Sequence, residues 1–199
     1  MILIVLAHPD PDSLSAAVAG AAEKTLSALG VETTTVDLYR VDGGRPFPAL
    51  LETDELRRKT SLHPVVQRQM SLVERADGFV VAHPDWWGGP PAVLKGWLDR
   101  VLRPGTAYEI PEGFGHRNAV GLLAGRRALV AASGDAESPG PLEEFWTERV
   151  WGFCGVRCEL IYLPRSRETP KPGRDAFVNK VADASAGAFG RSQAPGIRS

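Results

Sequence analysis

Two short segments carry the residue types best suited to gripping a ligand. The first, His8-Pro9-Asp10-Pro11-Asp12-Ser13-Leu14-Ser15, follows an apolar run and leads into a helical pattern. It contains no glycine, so it is neither a G-x-G-x-x-G dinucleotide turn nor a Walker loop. A helix N-terminus still offers free amides and the positive end of its dipole to a phosphate. Ser13 and Ser15 add hydroxyl donors there, Leu14 lies between them, and His8 sits at the tip. Ser13 would serve equally as a simple N-cap and His8 as a turn residue. Asp10 and Asp12 oppose an anion unless they face solvent.

The second segment is His83-Pro84-Asp85-Trp86-Trp87-Gly88-Gly89-Pro90-Pro91. Adjacent indoles on a stiff Pro/Gly frame can form a slot for a flat ring system, with stacking and amide hydrogen bonds. The competing reading is that both indoles roof the core or cover a dimer contact. A third, weaker segment, Ala132-Ser133-Gly134-Asp135, would place Ser133 and Gly134 as donors under one edge of a flat ligand. It is not a nucleophile elbow, because G-x-S-x-G is absent. Tyr108 either lines the floor of the same pocket or simply packs.

These segments need elements that bring them together. Ile2–Leu6 is a continuous apolar run, the pattern of a strand buried on both faces of a parallel sheet. Leu14, Val18, Ala21, Ala22, Leu26 and Leu29 recur at helical spacing, and Gly30 closes that helix. Val31–Leu38 reads as a second strand. The alternation continues with a helix over Val66–Ala76, a strand over Phe79–Ala82 and a helix over Pro91–Leu102. Arg127–Ala132 then predicts a fourth strand, Leu142–Phe153 a helix, Val156–Leu163 a fifth strand and Arg174–Phe189 a last helix. Strands alternating with helices pair in parallel through right-handed crossovers. The expected architecture is an α/β doubly wound five-stranded parallel sheet, order 2-1-3-4-5, with helices on both faces. Ligands of such sheets bind beyond the carboxyl ends of the strands where the winding reverses, between the first and third strands. Both ligand-gripping loops fall there. Val41–Pro64 and Arg103–Arg126 are irregular, and long irregular segments in a compact domain are usually functional or disordered. Residues 1–190 read as one domain and 191–199 as a flexible tail.

The 199 residues are 43% apolar and 24% charged, with a formal net charge of -1. No broad positive field draws in nucleic acid or an anionic membrane, so a bound phosphate must be held locally by amides and hydroxyls. Cys154 and Cys158 are too few for a structural zinc site or a disulfide framework. The N-terminal apolar run is too short for a signal peptide or a membrane span, which leaves a cytoplasmic protein as the expectation.

Ala7-His8-Pro9, Ser13-Leu14-Ser15, Ala76-Asp77 and the run Pro84-Asp85-Trp86-Trp87-Gly88-Gly89-Pro90-Pro91-Ala92-Val93-Leu94-Lys95-Gly96-Trp97-Leu98-Asp99-Arg100-Val101 resemble the NAD(P)H:quinone oxidoreductase family. That family has a flavodoxin-like fold and includes quinone reductases and the flavin-binding ancillary subunits of potassium efflux systems. The resemblance covers roughly Met1 to Gly134, and more loosely the chain to Leu163. It implies FMN, or alternatively FAD, with NAD(P)H as electron donor and a quinone-like acceptor. Phosphate-side contacts then match His8, Ser13, Leu14 and Ser15. Ring-side contacts match Pro84, Asp85, Trp86, Trp87 and Gly88, with Ser133 and Gly134 on the third loop. Tyr108 matches the family's tyrosine beside the substrate. The resemblance also implies a homodimer whose active sites are completed by the partner subunit. The best-known quinone reductases carry a Tyr and a His after the fourth strand that relay charge; Gly134–Pro141 has neither, so that relay is not carried over.

Hydride would pass from NAD(P)H to the flavin and then to the acceptor at one shared site, giving ping-pong kinetics. One rival is a flavin-binding regulatory subunit docked on a membrane transporter, with feeble turnover. A one-electron carrier fits the near-neutral charge poorly, and a serine hydrolase lacks its elbow.

Overall fold

A computed structural model of the chain describes residues 1–53, 55, 63–111 and 118–190. The expected tail, 191–199, lies outside the described residues, as do parts of both irregular segments.

The apolar runs become the central strands. β1 (Ile2–Leu6) and β3 (Gly78–Pro84) are buried at every position. β2 (Thr33–Asp37), β6 (Arg127–Ser133) and β7 (Arg157–Leu163) complete a parallel sheet ordered β2-β1-β3-β6-β7, the expected 2-1-3-4-5. A two-residue antiparallel ladder, β4 (Tyr108–Glu109) with β5 (Val120–Gly121), lies inside the segment read as irregular.

The alternating side chains of β1 divide the core between two faces. Leu3 and Val5 point to the side covered by α2 (Pro64–Arg75) and α3 (Ala92–Val101). Ile2, Ile4 and Leu6 point to the side covered by α1 (Leu14–Ala28) and α5 (Lys171–Phe189). α5 starts three residues before the expected Arg174, because Pro172 is tolerated in a first helical turn. Among the described residues no helix is long and apolar enough to cross a membrane.

The helix expected over Leu142–Phe153 is a short α-helix, α4 (Pro141–Glu144), running into a π-helix over Phe145–Val150. Trp151, Gly152 and Phe153 donate to carbonyls five residues back, at 3.1, 3.1 and 2.9 Å. Trp146 and Trp151, also five residues apart, are both fully buried. A 3.6-residue turn would separate their directions, whereas the wider π turn returns both to the core. Trp151 stacks on Phe79 of β3 with centroids 4.5 Å apart, so this segment buttresses the strand that carries the tryptophan loop.

Candidate active site

The winding reverses between β1 and β3, which pair in register from Ile2↔Gly78 to Leu6↔Ala82. β6 continues that register, with Pro84 opposite Ser133. The loops after β1, β3 and β6 therefore leave the sheet side by side. Between them lies a cavity of about 310 Å³ lined by His8, Leu14, Pro84, Asp85, Trp86, Ser133 and Gly134, among others. Seven of the twelve expected site residues meet there.

In the loop after β1, the Asp10 amide donates to His8 Nδ1 at 3.0 Å and the Asp12 amide to Asp10 Oδ1 at 2.9 Å. Asp10 and Asp12 are exposed, so neither carboxylate blocks the cavity. Arg40, ion-paired to Asp37 at 2.6 Å, also donates to the Pro9 carbonyl and ties this loop down. Ser13 is the N-cap of α1, and its Oγ accepts from the Ala16 amide at 3.2 Å. A hydroxyl that accepts keeps its proton to donate, so the cap role leaves a donor available. The amides of Leu14 and Ser15 reach no protein acceptor among the described residues, the expected state of a helix start. Ser15 itself is buried.

In the loop after β3, Trp86 and Gly89 exchange amide–carbonyl bonds of 2.9 and 3.2 Å. Trp87 and Gly88 between them have φ of +59° and +78°, the signature of a type I′ turn. The indoles therefore do not act as a matched pair. Trp86 is 42% exposed and stands 6.1 Å from the His8 ring on the cavity wall; Trp87, fully exposed at the turn's apex, does not line the cavity of its own chain. Neither roofs the core. The Trp86 amide is spent within the turn, whereas those of Trp87 and Gly88 have no protein acceptor among the described residues.

Behind this loop His83 is buried, and its Nδ1 lies 2.9 Å from the Pro84 carbonyl. Trp146 Nε1–H donates to His83 Nε2 at 3.0 Å, which assigns the proton to Nδ1. Burial lowers the His83 pKa to about 4, partly offset by the bond to Pro84, so the ring is neutral near pH 7.

Sequence reasoning missed the loop after β7. Tyr162 Oη donates to Asp85 Oδ2 at 3.1 Å; burial first, then this bond, pushes the phenol up to about 12. Asp85 Oδ1 is secluded and has no partner. Ser166, Arg167 and Arg174 also line the cavity. Arg167 is ion-paired with Asp135 at 3.0 Å, while Arg174 makes no ion pair among the described residues. The phosphate was expected to rely on amides and hydroxyls alone; the folded site adds guanidinium groups. The run Arg165-Ser166-Arg167 at a strand's carboxyl end was the available signal.

The loops after β6 and β7 are joined through backbone. Gly134 N donates to the Leu163 carbonyl at 3.1 Å, Ser166 N to that of Gly134 at 2.8 Å and Arg165 N to that of Ala136 at 3.4 Å. A Cβ on Gly134 would lie 2.3 Å from Tyr162 Oη and 2.9 Å from Asp85 Cβ, so only glycine fits.

Tyr108 lies elsewhere. It packs edge-on against Phe153 with centroids 4.8 Å apart, and its partner Gly121 abuts the Cys154 backbone just before β7 begins. That is the amino end of the strands, so within one chain Tyr108 does not line the cavity. Burial, followed by the nearby Cys154, raises its pKa.

The lining suits a flavin: Leu14 at the start of α1, with its free amide, two arginines and the exposed Trp86 indole border one cavity, and the free amides of Trp87 and Gly88 lie in the adjoining turn. A family model described as the flavodoxin-like fold matches residues 1–183. The ribosyldihydronicotinamide dehydrogenase (quinone) of Homo sapiens is 35% identical over 153 residues, covering 68% of this chain. The match spans 64% of that relative, just under two thirds of its length. The NAD(P)H:quinone oxidoreductase of Methanothermobacter marburgensis superimposes with a TM-score of 0.75 at 25% identity, covering 92% of this chain and 94% of that one. An FMN-dependent NADH-azoreductase of Bacillus anthracis, in complex with FMN, shares the fold with a TM-score of 0.70 at 19% identity, covering 93% and 97%. With its sheet order, its strand-tip cavity and a family match along most of its length, the chain belongs to the flavodoxin-like family that includes the NAD(P)H:quinone oxidoreductases.

Proposed function

We propose that the chain is a flavin-dependent NAD(P)H oxidoreductase that reduces quinones or similar small acceptors by two-electron hydride transfer. The observation that carries this reading is the meeting, at one cavity, of Leu14 at the start of α1, its amide free, with Trp86 of the turn after β3. The named activities of the relatives support it.

Bound FMN, with FAD as the alternative, would supply the hydride chemistry and the protein would supply binding and orientation. The amides of Leu14 and Ser15 and the hydroxyl of Ser13 would hold the phosphate, with His8 beside them and the α1 dipole assisting. Arg174 would add charge-assisted bonds. On the ring side, Trp86 would pack against the flat face from its place beside Pro84 and Asp85, and the amides of Trp87 and Gly88 would donate to ring carbonyls. Ser133 and Gly134 would border the opposite edge. NAD(P)H and acceptor would use the same face in turn, giving ping-pong kinetics.

Trp87 and Tyr108 fit a homodimer. Trp87, Leu50, Leu51, Val120 and Leu122 are all exposed, and a partner subunit would cover those that fall on its face. In such a dimer Tyr108 would serve the partner subunit's cavity, holding or protonating the acceptor.

Heating the purified protein should release FMN, identified by chromatography, and the protein should oxidise NAD(P)H with menadione. Replacing Trp86 and Trp87 together by Ala should abolish flavin retention with circular dichroism unchanged. Full flavin occupancy in that variant would move the ring slot elsewhere. Retained flavin with negligible turnover would favour an ancillary flavin-binding subunit instead.

A further inference from the structure

We propose that Asp85, held by the Tyr162 hydroxyl, is a potential-setting residue: its carboxylate opposes the negative charge that hydride uptake leaves in the cavity. This rests on the flavin reading above and goes beyond it, to a pair distinct from the Tyr and His relay that this sequence lacks.

The pair is built into the sheet. The Asp85 amide donates to the Ser133 carbonyl at 2.8 Å, fixing the residue where β3 ends. Tyr162 stands opposite Ala132 in β7 and reaches across β6 to donate to Oδ2 at 3.1 Å. Gly134 makes the room, since a Cβ there would collide with both members of the pair.

Asp85 does not serve the structural ends usual for a loop aspartate. Its oxygens cap no local amide, and it has no cationic partner within ion-pair distance among the described residues. Oδ1 is cut off from solvent with nothing donating to it. A secluded carboxylate with one oxygen unsatisfied is unfavourable to the fold alone. Asp85 lines the cavity with no direct cationic partner among the described residues, although Arg174 shares the lining, so its carboxylate projects negative potential into that space. Arg167, the cation of the neighbouring loop, is already matched by Asp135.

The electron balance gives this potential a consequence. NAD(P)H gives up two electrons and one proton as hydride and leaves as NAD(P)⁺, so the cavity gains one negative charge unless solvent supplies a proton. Asp85 raises the energy of that charged state and leaves the uncharged oxidised state nearly unaffected. Asp85 thereby weakens retention of the reduced cofactor relative to the oxidised one, lowers the two-electron potential and favours onward transfer to the acceptor.

The test uses the full chain carrying FMN. Dissociation constants for oxidised FMN and midpoint potentials are measured at one pH for wild type, Asp85→Asn and Tyr162→Phe. Asp85→Asn keeps the shape and removes the charge, and should tighten reduced relative to oxidised FMN at least tenfold, which is about +30 mV for a two-electron couple. Tyr162→Phe breaks the same contact with the charge kept, and should not raise the potential. A ratio for Asp85→Asn within threefold of wild type overturns the proposal, as does an equal upward shift in Tyr162→Phe, which would mark a packing effect. If Asp85→Asn does not fold, Asp85→Leu takes its place with the same expected direction. Failure of the wild-type protein to bind either FMN or FAD removes the flavin reading itself, and that result is visible before any variant is compared.

Discussion

The five tryptophans divide into two regions with opposite habits. Trp97, Trp146 and Trp151 are fully buried, and two of them place their N–H groups on named acceptors: Trp97 on Gln69 Oε1 at 3.3 Å and Trp146 on His83 Nε2 at 3.0 Å. Trp86 and Trp87 sit at the tip of β3 in the open, Trp87 with a left-handed φ that non-glycine residues rarely adopt. In the core, burial against neighbouring elements accounts for each indole. At the strand tip it does not, and a residue kept in an unfavourable conformation with its apolar surface in water points to something outside the chain. The lesson is that residue type alone does not mark a site; the contrast with the same type elsewhere in the fold does.

The sharpest way to break this contrast is to delete a member of each group. Trp151→Ala should cost about 3–5 kcal/mol in urea unfolding, because it removes the stack on Phe79 and leaves a cavity. Trp87→Ala should stay within about 0.5 kcal/mol of wild type. Comparable losses in the two variants would dissolve the distinction. Gly134→Ala probes the tip from below. Overpacking against Tyr162 and Asp85 should cost about 1–3 kcal/mol and weaken FMN binding, read by flavin fluorescence.

The third prediction concerns the link between the regions, the Trp146–His83 bond. Burial sets the folded-state pKa of His83 at about 4, below its ordinary 6.5, so protons bind preferentially to the unfolded chain. Its contribution is complete above about pH 6.5 and is lost as pH falls toward 4. Unfolding free energy should drop by about 2 kcal/mol between pH 7 and pH 5 from this group. His83→Gln should flatten that slope in urea titrations at the two pH values. The smallest expected effect is Trp87→Gly. Relief of the left-handed backbone should stabilise the fold by about 1 kcal/mol, while NAD(P)H turnover with menadione falls at least tenfold. A variant that gained stability and kept full turnover would deprive Trp87 of its role.

Much of this was legible before folding. The unbroken apolar runs of β1 and β3 located the sheet's centre, and the alternation of elements gave its order. Those two strands then brought the loops carrying His8 and Trp86 to one cavity. The rest was hidden for physical reasons. A helical pattern cannot reveal that Trp146 and Trp151 share a face through a π turn, because their five-residue spacing disagrees with an α-helix. The direction of Trp87 depends on the handedness of one turn. Tyr108 lies at the amino end of the strands because β4 folds back onto β5, a ladder of only two residues. Tyr162 belongs to the tip of the edge strand and Arg174 to the first turn of the helix that follows it, where the winding rule draws no attention.

The bonds that join the loops after β6 and β7 make them one mechanical unit. Arg165 and Arg167 are attractive cutting points for trypsin, yet a protease needs an extended stretch of chain in its cleft. Freeing that stretch means unfastening Ser166 from Gly134 and Arg165 from Ala136 together. Digestion there should proceed as a single all-or-none event, and its rate would report how often the whole rim of the cavity lifts.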